Sequence, residues 1–272
     1  MKDRTVDIEI ISSHINNLLI VAKEVISSEI KFDPNDHFAF MSLSFLTKQI
    51  EHCRSIMILI SGKQYSDSMI IARTMLEGLI IIAWCHKNNP NHYGDLWSRY
   101  AVVADYKLYL KKNKSEISPE IANDIFARLD YYGSIFLTKK ARKIKDTSLS
   151  PSQYSFTNKW LIDEQGNEIK ISRMFEEIDG HLQNVYRDIS GWIHWDISSI
   201  GQNIKHNAGI VQIAANNLND GALALAIAFQ SLFGLLEMVD FNLGLGFKPK
   251  FETIRLVYLQ DISNLKSNTA EE

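Results

Sequence analysis

The stretch that most constrains this chain is Tyr65 to Lys87, which contains MIIARTMLEGLIIIAWC. Apolar residues cover it on most sides at helical spacing. It therefore predicts one helix, either central to a bundle or inside a membrane. Two charges, Arg73 and Glu77, interrupt it four positions apart, on one face. In so apolar a setting each charge is costly unless paired. Arg before Glu is the weaker order for simple helix support. The pair reads as an inward polar stripe that meets polar groups on another helix, with a self-contained ion pair as the alternative.

The helical period recurs along the chain. Residues 5–30 predict an amphipathic helix striped by Val6, Ile10, Ile11, Ile15, Leu18, Leu19 and Val25. After the break at Pro34, Asn35 or Asp36 caps a second helix that runs to about Ser61 and ends at Gly62. A turn around Pro90 leads to a helix over 93–112. Ser118-Pro119-Glu120 supplies a cap and a first-turn proline for a fifth helix, which continues to about Arg142. Asn219 or Asp220 caps a long apolar helix, and Gly244, Gly246 and Pro249 separate it from a last helix over 251–265. The expected fold is all-α, one bundle-like domain over 1–272 with its core in 36–243. Residues 144–171 interrupt it: SLSPSQYSFTNKW is polar, and WLIDEQGNEIKI reads as a small hairpin with a Gln-Gly-Asn turn, or as an ordered loop.

Charge narrows the function classes. Net charge is −3 and the pI about 6.3, so no global field draws nucleic acid and any RNA site must be a local basic patch. Two runs qualify: Lys107, Lys111, Lys112 and Lys114, then Lys139, Lys140, Arg142, Lys143 and Lys145. The first also reads as favourable charge at a helix carboxyl end. Cys53 and Cys85 fall in apolar runs and read as buried small hydrophobes. Metal-ligand spacing, a phosphate loop and a nucleophile elbow are all missing, so no metal or cofactor is expected. MKDRTVDIEI does not read as a signal peptide, which leads to a cytoplasmic expectation. The run 221–239 approaches membrane-spanning length, but Gln230, Ser231, Glu237 and its alanines suit a core helix, so no membrane association is expected.

Residues 172–198, SRMFEEIDGHLQNVYRDISGWIHWDIS, read as one helix. Leu182, Val185, Ile189, Trp192 and Ile193 form its apolar stripe; Asn184, Arg187, Asp188, Gly191, His194 and Trp195 lie opposite. Arg187 and His194 sit on nearly one face, roughly 10 Å apart along the axis. An arginine that binds phosphate and a histidine that moves protons are a minimal kit for cleaving a phosphodiester. The same spacing also marks an ordinary solvated face. Gly191 lies between them, where close approach of a backbone or ligand is one reason to tolerate a glycine. Beyond the helix, Lys205 and His206 read as a loose surface loop that could line a site.

The segment RDISGWIH, with Arg187-Asp188 and then His194, resembles the motif of the HEPN superfamily of helical domains, at the wide end of its Arg-to-His gap. RSIMILISGKQYSDSMIIARTMLEGLIIIAWCHK, followed downstream by YRDISGWIHW, resembles a family of bacterial all-helical, HEPN-like proteins of unknown function. The resemblance implies metal-independent RNA cleavage, in which a ribose 2′-hydroxyl attacks the adjacent phosphate. It implies His194 as acid or base, Arg187 on the phosphate and Asp188 orienting one of them. Arg73 or Glu77 would set the position of Arg187, with Ser190 and Gly191 in support. It further implies a homodimer, with Gly191 near the twofold axis, acting in phage defence or toxin-like growth arrest. The alternative is a non-catalytic helical regulator or adaptor that binds a nucleotide, a nucleotidyltransferase or another defence protein.

Overall fold

The computed structural model of the chain describes residues 5–111, 117–144, 154–193, 204–207, 210–213 and 218–267. The fold is all-α, as the periodicity predicts. The described residues form ten α-helices, one 3-10 turn and a pair of four-residue strands. The chain divides into two compact units. The first comprises Met1–Asp33, Ser42–Trp84 and Met174–Glu272, the second Pro34–Met41 and Cys85–Arg173. Three of the four divisions fall inside helices, α2 (His37–Ser61), α3 (Tyr65–Asn88) and the helix Ile171–Ile178, and only the one before Pro34 lies in a polar linker.

In the first unit, α1 (Thr5–Ser27) buries Ile8, Ile11, Ile15, Leu18, Ala22 and Val25, an alternation of three and four that keeps one seam inward. That seam packs on α9 (Leu218–Leu243) and α10 (Lys248–Ser267). His14 on α1 reaches Asp261 on α10 at 2.9 Å and meets the rings of Phe229 and Tyr258 edge-on. Helix α9 is buried on most sides, from Gly221 through Leu225, Leu232 and Leu236 to Val239. Both α3 and α9 are long and apolar enough to cross a membrane, and each has at least half of its apolar stretch buried inside the chain. The expected cap at Asn219 or Asp220 moves: α9 already includes both, and Asp220 is buried in its first turn. Its carboxyl end closes with the amide of Leu245 on the Asp240 carbonyl, around Gly244 at φ +62. The end of α2 uses the same closure with an unexpected residue. Gln64 N–H bonds the Leu59 carbonyl, and Lys63, not Gly62, takes the left-handed position at φ +58.

Two short strands follow the helix that carries Arg187. Strands β1 (Ile204–Asn207) and β2 (Ile210–Ile213) pair antiparallel, Ile204 opposite Ile213 and His206 opposite Val211. Lys205 and His206 thus lie in a strand, not in a loose loop.

The second unit is built on α4 (Pro90–Lys111) and α5 (Pro119–Tyr132). Leu96, Val103, Tyr106, Ile125, Leu129 and Phe136 form its core. Helix α4 starts at Pro90 itself, three residues earlier than expected, because proline suits a first helical turn. Ser118 caps α5 as predicted, accepting from the Ile121 amide at 3.3 Å. The expected run to Arg142 is interrupted. Gly133 closes α5, a 3-10 turn covers Gly133–Phe136, and α6 (Lys139–Ile144) follows. The interruption frees Leu137 to bridge Phe156. The expected hairpin near 160–170 survives as a narrow ladder without a regular strand. Ile169 N–H bonds the Leu161 carbonyl, Ile162 bridges Glu168, and Asp163 to Asn167 make the turn.

Cys53 and Cys85 are buried free thiols, as expected; burial pushes the Cys53 thiol up to about 12 and Cys85 higher still.

Candidate functional site

Residues 172–198 do not form one helix. Helix α7 (Ile171–Ile178) stops, and α8 (Gly180–Ile193) restarts behind Asp179. The Asp179 carboxylate accepts from the amides of His181 at 2.8 Å and Leu182 at 3.4 Å, which satisfies donors that a new helix leaves open. Gly180, a poor helix former, follows it.

Helix α8 is amphipathic along the predicted line. Ile189 is buried, Leu182 and Val185 half-buried, and Asn184, Arg187 and Asp188 exposed. Between the two faces sits Tyr186. Its hydroxyl donates to Glu77 Oε1 at 2.6 Å and accepts from Arg73 Nη2 at 2.6 Å. Arg73 and Glu77 also pair directly at 3.0 Å. The Arg73 guanidinium stands over the Tyr186 ring, and Phe175 of α7 stacks on that ring at 4.6 Å. Trp84 Nε1 of α3 donates to Glu177 of α7 at 2.6 Å. Helices α3, α7 and α8 are thereby tied by two polar links and one aromatic stack.

Both readings of the Arg73–Glu77 pair turn out to coexist. The two residues form their own ion pair and also meet a polar group on another helix. Glu77 is about a third exposed and Arg73 less so, so the stripe is half-buried. Burial raises the Tyr186 phenol above its ordinary value, and its bond to Glu77 adds to this; Arg73 opposes the shift.

The structure links Arg73 and Glu77 to Tyr186, not to Arg187. Among the described residues, Arg187 makes a single hydrogen bond, from Nη2 to Asn184 Oδ1 at 3.2 Å. Asp188 is exposed and makes no bond to Arg187. Ser190 spends its hydroxyl on the Tyr186 carbonyl at 2.7 Å, inside the helix. Gly191 continues α8, and His194 and Trp195 lie outside the described residues. No group of three metal-ligating side chains occurs among the described residues.

A protein-family profile matches residues 39–210: a family of unknown function, DUF5677. The chain belongs to this family. No curated protein and no solved structure matches it. The DUF5677 stretch holds every residue of the α3–α7–α8 cluster together with Arg187 and Asp188, whereas α1, α9 and α10 lie outside it.

Tyr186 is the residue that sequence reasoning missed. Its signal was present: Leu182, Tyr186 and Ile189 follow the four-then-three spacing of an inward face. A tyrosine on such a face needs a partner for its hydroxyl. One residue of each basic run turns inward. Lys107 turns inward to the Thr157 carbonyl at 2.8 Å and the Tyr100 hydroxyl at 2.9 Å. Arg142 turns onto the Leu137 and Gly166 carbonyls, both at 3.0 Å. Lys112, Lys114 and Lys145 lie outside the described residues.

Proposed function

We propose that the chain is a HEPN-like, metal-independent endoribonuclease acting as a cytoplasmic homodimer in phage defence or toxin-like growth arrest. The observation that supports this reading best is the placement of Arg187. It is exposed on α8, next to the Tyr186 anchor, and its guanidinium keeps most of its donors unspent among the described residues. Such a fork suits the two oxygens of a phosphodiester.

In the proposed reaction a ribose 2′-oxygen forms a bond to phosphorus and the bond to the 5′-oxygen breaks. One His194 takes the 2′-hydroxyl proton, and the His194 of the second protomer protonates the leaving 5′-oxygen. Arg187 stabilises the charge that builds on the phosphate. The products are a 2′,3′-cyclic phosphate and a free 5′-hydroxyl.

The test is cleavage of RNA by the purified chain, with end-group analysis of the products. Arg187→Ala and His194→Ala should each abolish cleavage with unchanged circular dichroism, and a chelator should not inhibit. Persistent cleavage by the His194→Ala protein removes this site assignment. Loss of activity in chelator, restored by magnesium, overturns the mechanism. Light scattering should show a dimer that Gly191→Leu disrupts.

The second reading is a non-catalytic adaptor. It is favoured by large apolar side chains exposed on α9 and α10, among them Phe241, Leu256 and Leu259, which suit a protein partner. It takes over if clean protein cleaves no RNA.

A further inference from the structure

Among the described residues, β1 and β2 form a sheet of two strands, each paired along one edge. The pairing runs from Ile204 with Ile213 to Asn207 with Ile210. Backbone groups alternate sides along a strand, so about half of the N–H and C=O groups of each strand face away from its partner. Two strands alone are marginal in water, and a sheet gains stability of its own with three or more. An open strand edge is a template for another strand.

The two edges differ in chemistry. Strand β1 reads Ile204-Lys205-His206-Asn207, and lysine is a residue that natural edge strands use to deter pairing. Strand β2 reads Ile210-Val211-Gln212-Ile213: three β-branched residues, with no charge, proline or glycine. Such a strand meets its own copy without like-charge repulsion. β1 against its own copy would set two Lys205 positions close together, and like charges across a sheet are destabilising.

Placement along the chain points to a second copy as the occupant. The hairpin follows α8, the helix that carries Arg187, and belongs to the same compact unit. In the ribonuclease reading that helix already works beside its twofold mate.

We propose that β2 is the dimer strand: β2 of one copy pairs antiparallel with β2 of a second, and the two hairpins make one four-stranded sheet across a twofold axis. This inference rests on the homodimer within the ribonuclease reading and adds the surface that forms it. Main-chain hydrogen bonds carry the affinity at such a seam. A twofold axis through an antiparallel pair sets one residue of β2 directly opposite itself.

The experiment is a cysteine scan of the full chain, oxidised with copper phenanthroline and read on non-reducing gels. Ile210→Cys, Val211→Cys, Gln212→Cys and Ile213→Cys are made singly, with Lys205→Cys as the β1 control. Cys53 and Cys85 are buried, so the parent should not cross-link. Opposed residues of an antiparallel pair stand about 4.5–5.5 Å apart at Cα, within the range of about 4.4–6.8 Å that a disulfide spans. One β2 position should therefore give a covalent dimer, and Lys205→Cys none. A second measurement needs no substitution. Hydrogen exchange over 210–213 should slow at least tenfold between a concentration where light scattering shows monomer and one where it shows dimer. Cross-linking through Lys205→Cys alone, or through no β2 position, overturns the assignment, as does exchange that ignores assembly or a chain that stays monomeric throughout. A dimer that does not link through β2 leaves the cleavage assay to decide the ribonuclease reading. A β2-linked dimer that cleaves no RNA removes that reading and keeps this one.

Discussion

The Tyr186 hydroxyl sits 2.6 Å from Glu77 Oε1, joining helices whose bonded residues are 109 positions apart. The same oxygen receives Arg73, so a neutral phenol completes an ion pair that α3 could make alone.

Tyr186→Phe keeps the ring and its stack on Phe175 but removes both bonds. Arg73 and Glu77 still hold each other, so the expected loss is about 1–2 kcal/mol, read as a lower urea midpoint at unchanged slope. The raised phenol also sets a sign. Its contribution is intact below the unfolded tyrosine value and is lost as pH rises toward the higher folded value. The variant should therefore lose less stability than the parent under alkaline conditions.

Asp179→Ala should cost about 1 kcal/mol, the usual price of a lost amino-terminal cap. Hydrogen exchange should quicken at the amides of His181 and Leu182, which the carboxylate now protects. Equal exchange in parent and variant would show that the cap contributes nothing.

Lys63 holds a left-handed backbone that costs a non-glycine residue about 1 kcal/mol. Lys63→Gly should relieve most of that and raise the thermal midpoint by a few degrees. A lower midpoint would mean that the gain in unfolded-chain entropy outweighs the relief.

Asp220 is buried in the first turn of α9, and desolvation pushes its carboxyl up to about 6. The folded state holds its proton more tightly than the unfolded state. Stability from this group is present below the unfolded value near 3.8 and falls as pH rises toward 6. Asp220→Asn should therefore gain on the order of 1–2 kcal/mol at pH 7 and little at pH 3.5, as denaturant titrations at both values will show.

Helix positions were legible where a periodic stripe met a recognisable signal. Ser118-Pro119 marked the start of α5, Asp36 caps α2 through the Ala39 amide, and the apolar run after Tyr65 marked α3. Breaks inside a continuing pattern were not legible. Asp179-Gly180 carries a cap signal, but the stripe resumes on the far side of it, so periodicity alone reads through. Gly133 likewise ends α5 in the middle of a helix-compatible run. At the candidate site, the exposed face with Arg187 and Asp188 and the inward Arg73–Glu77 stripe were readable from spacing. Their partner was not, because spacing along one helix says nothing about which residue of a distant helix arrives opposite. For the same reason Lys107 and Arg142 looked like surface charge: the Thr157 carbonyl that receives Lys107 is 50 residues away, and the Gly166 carbonyl that receives Arg142 is 24 residues away.

The seam of α1 has a consequence in time. Its partners begin at Leu218, roughly 190 residues after α1 ends, and chains grow at roughly 5–20 residues per second. For roughly 10–40 s during synthesis Ile11, Ile15 and Leu18 are therefore outside the ribosome without the helices that bury them. The first unit closes only when the last helices arrive, and until then α1 is a ligand for whatever binds nascent apolar chain.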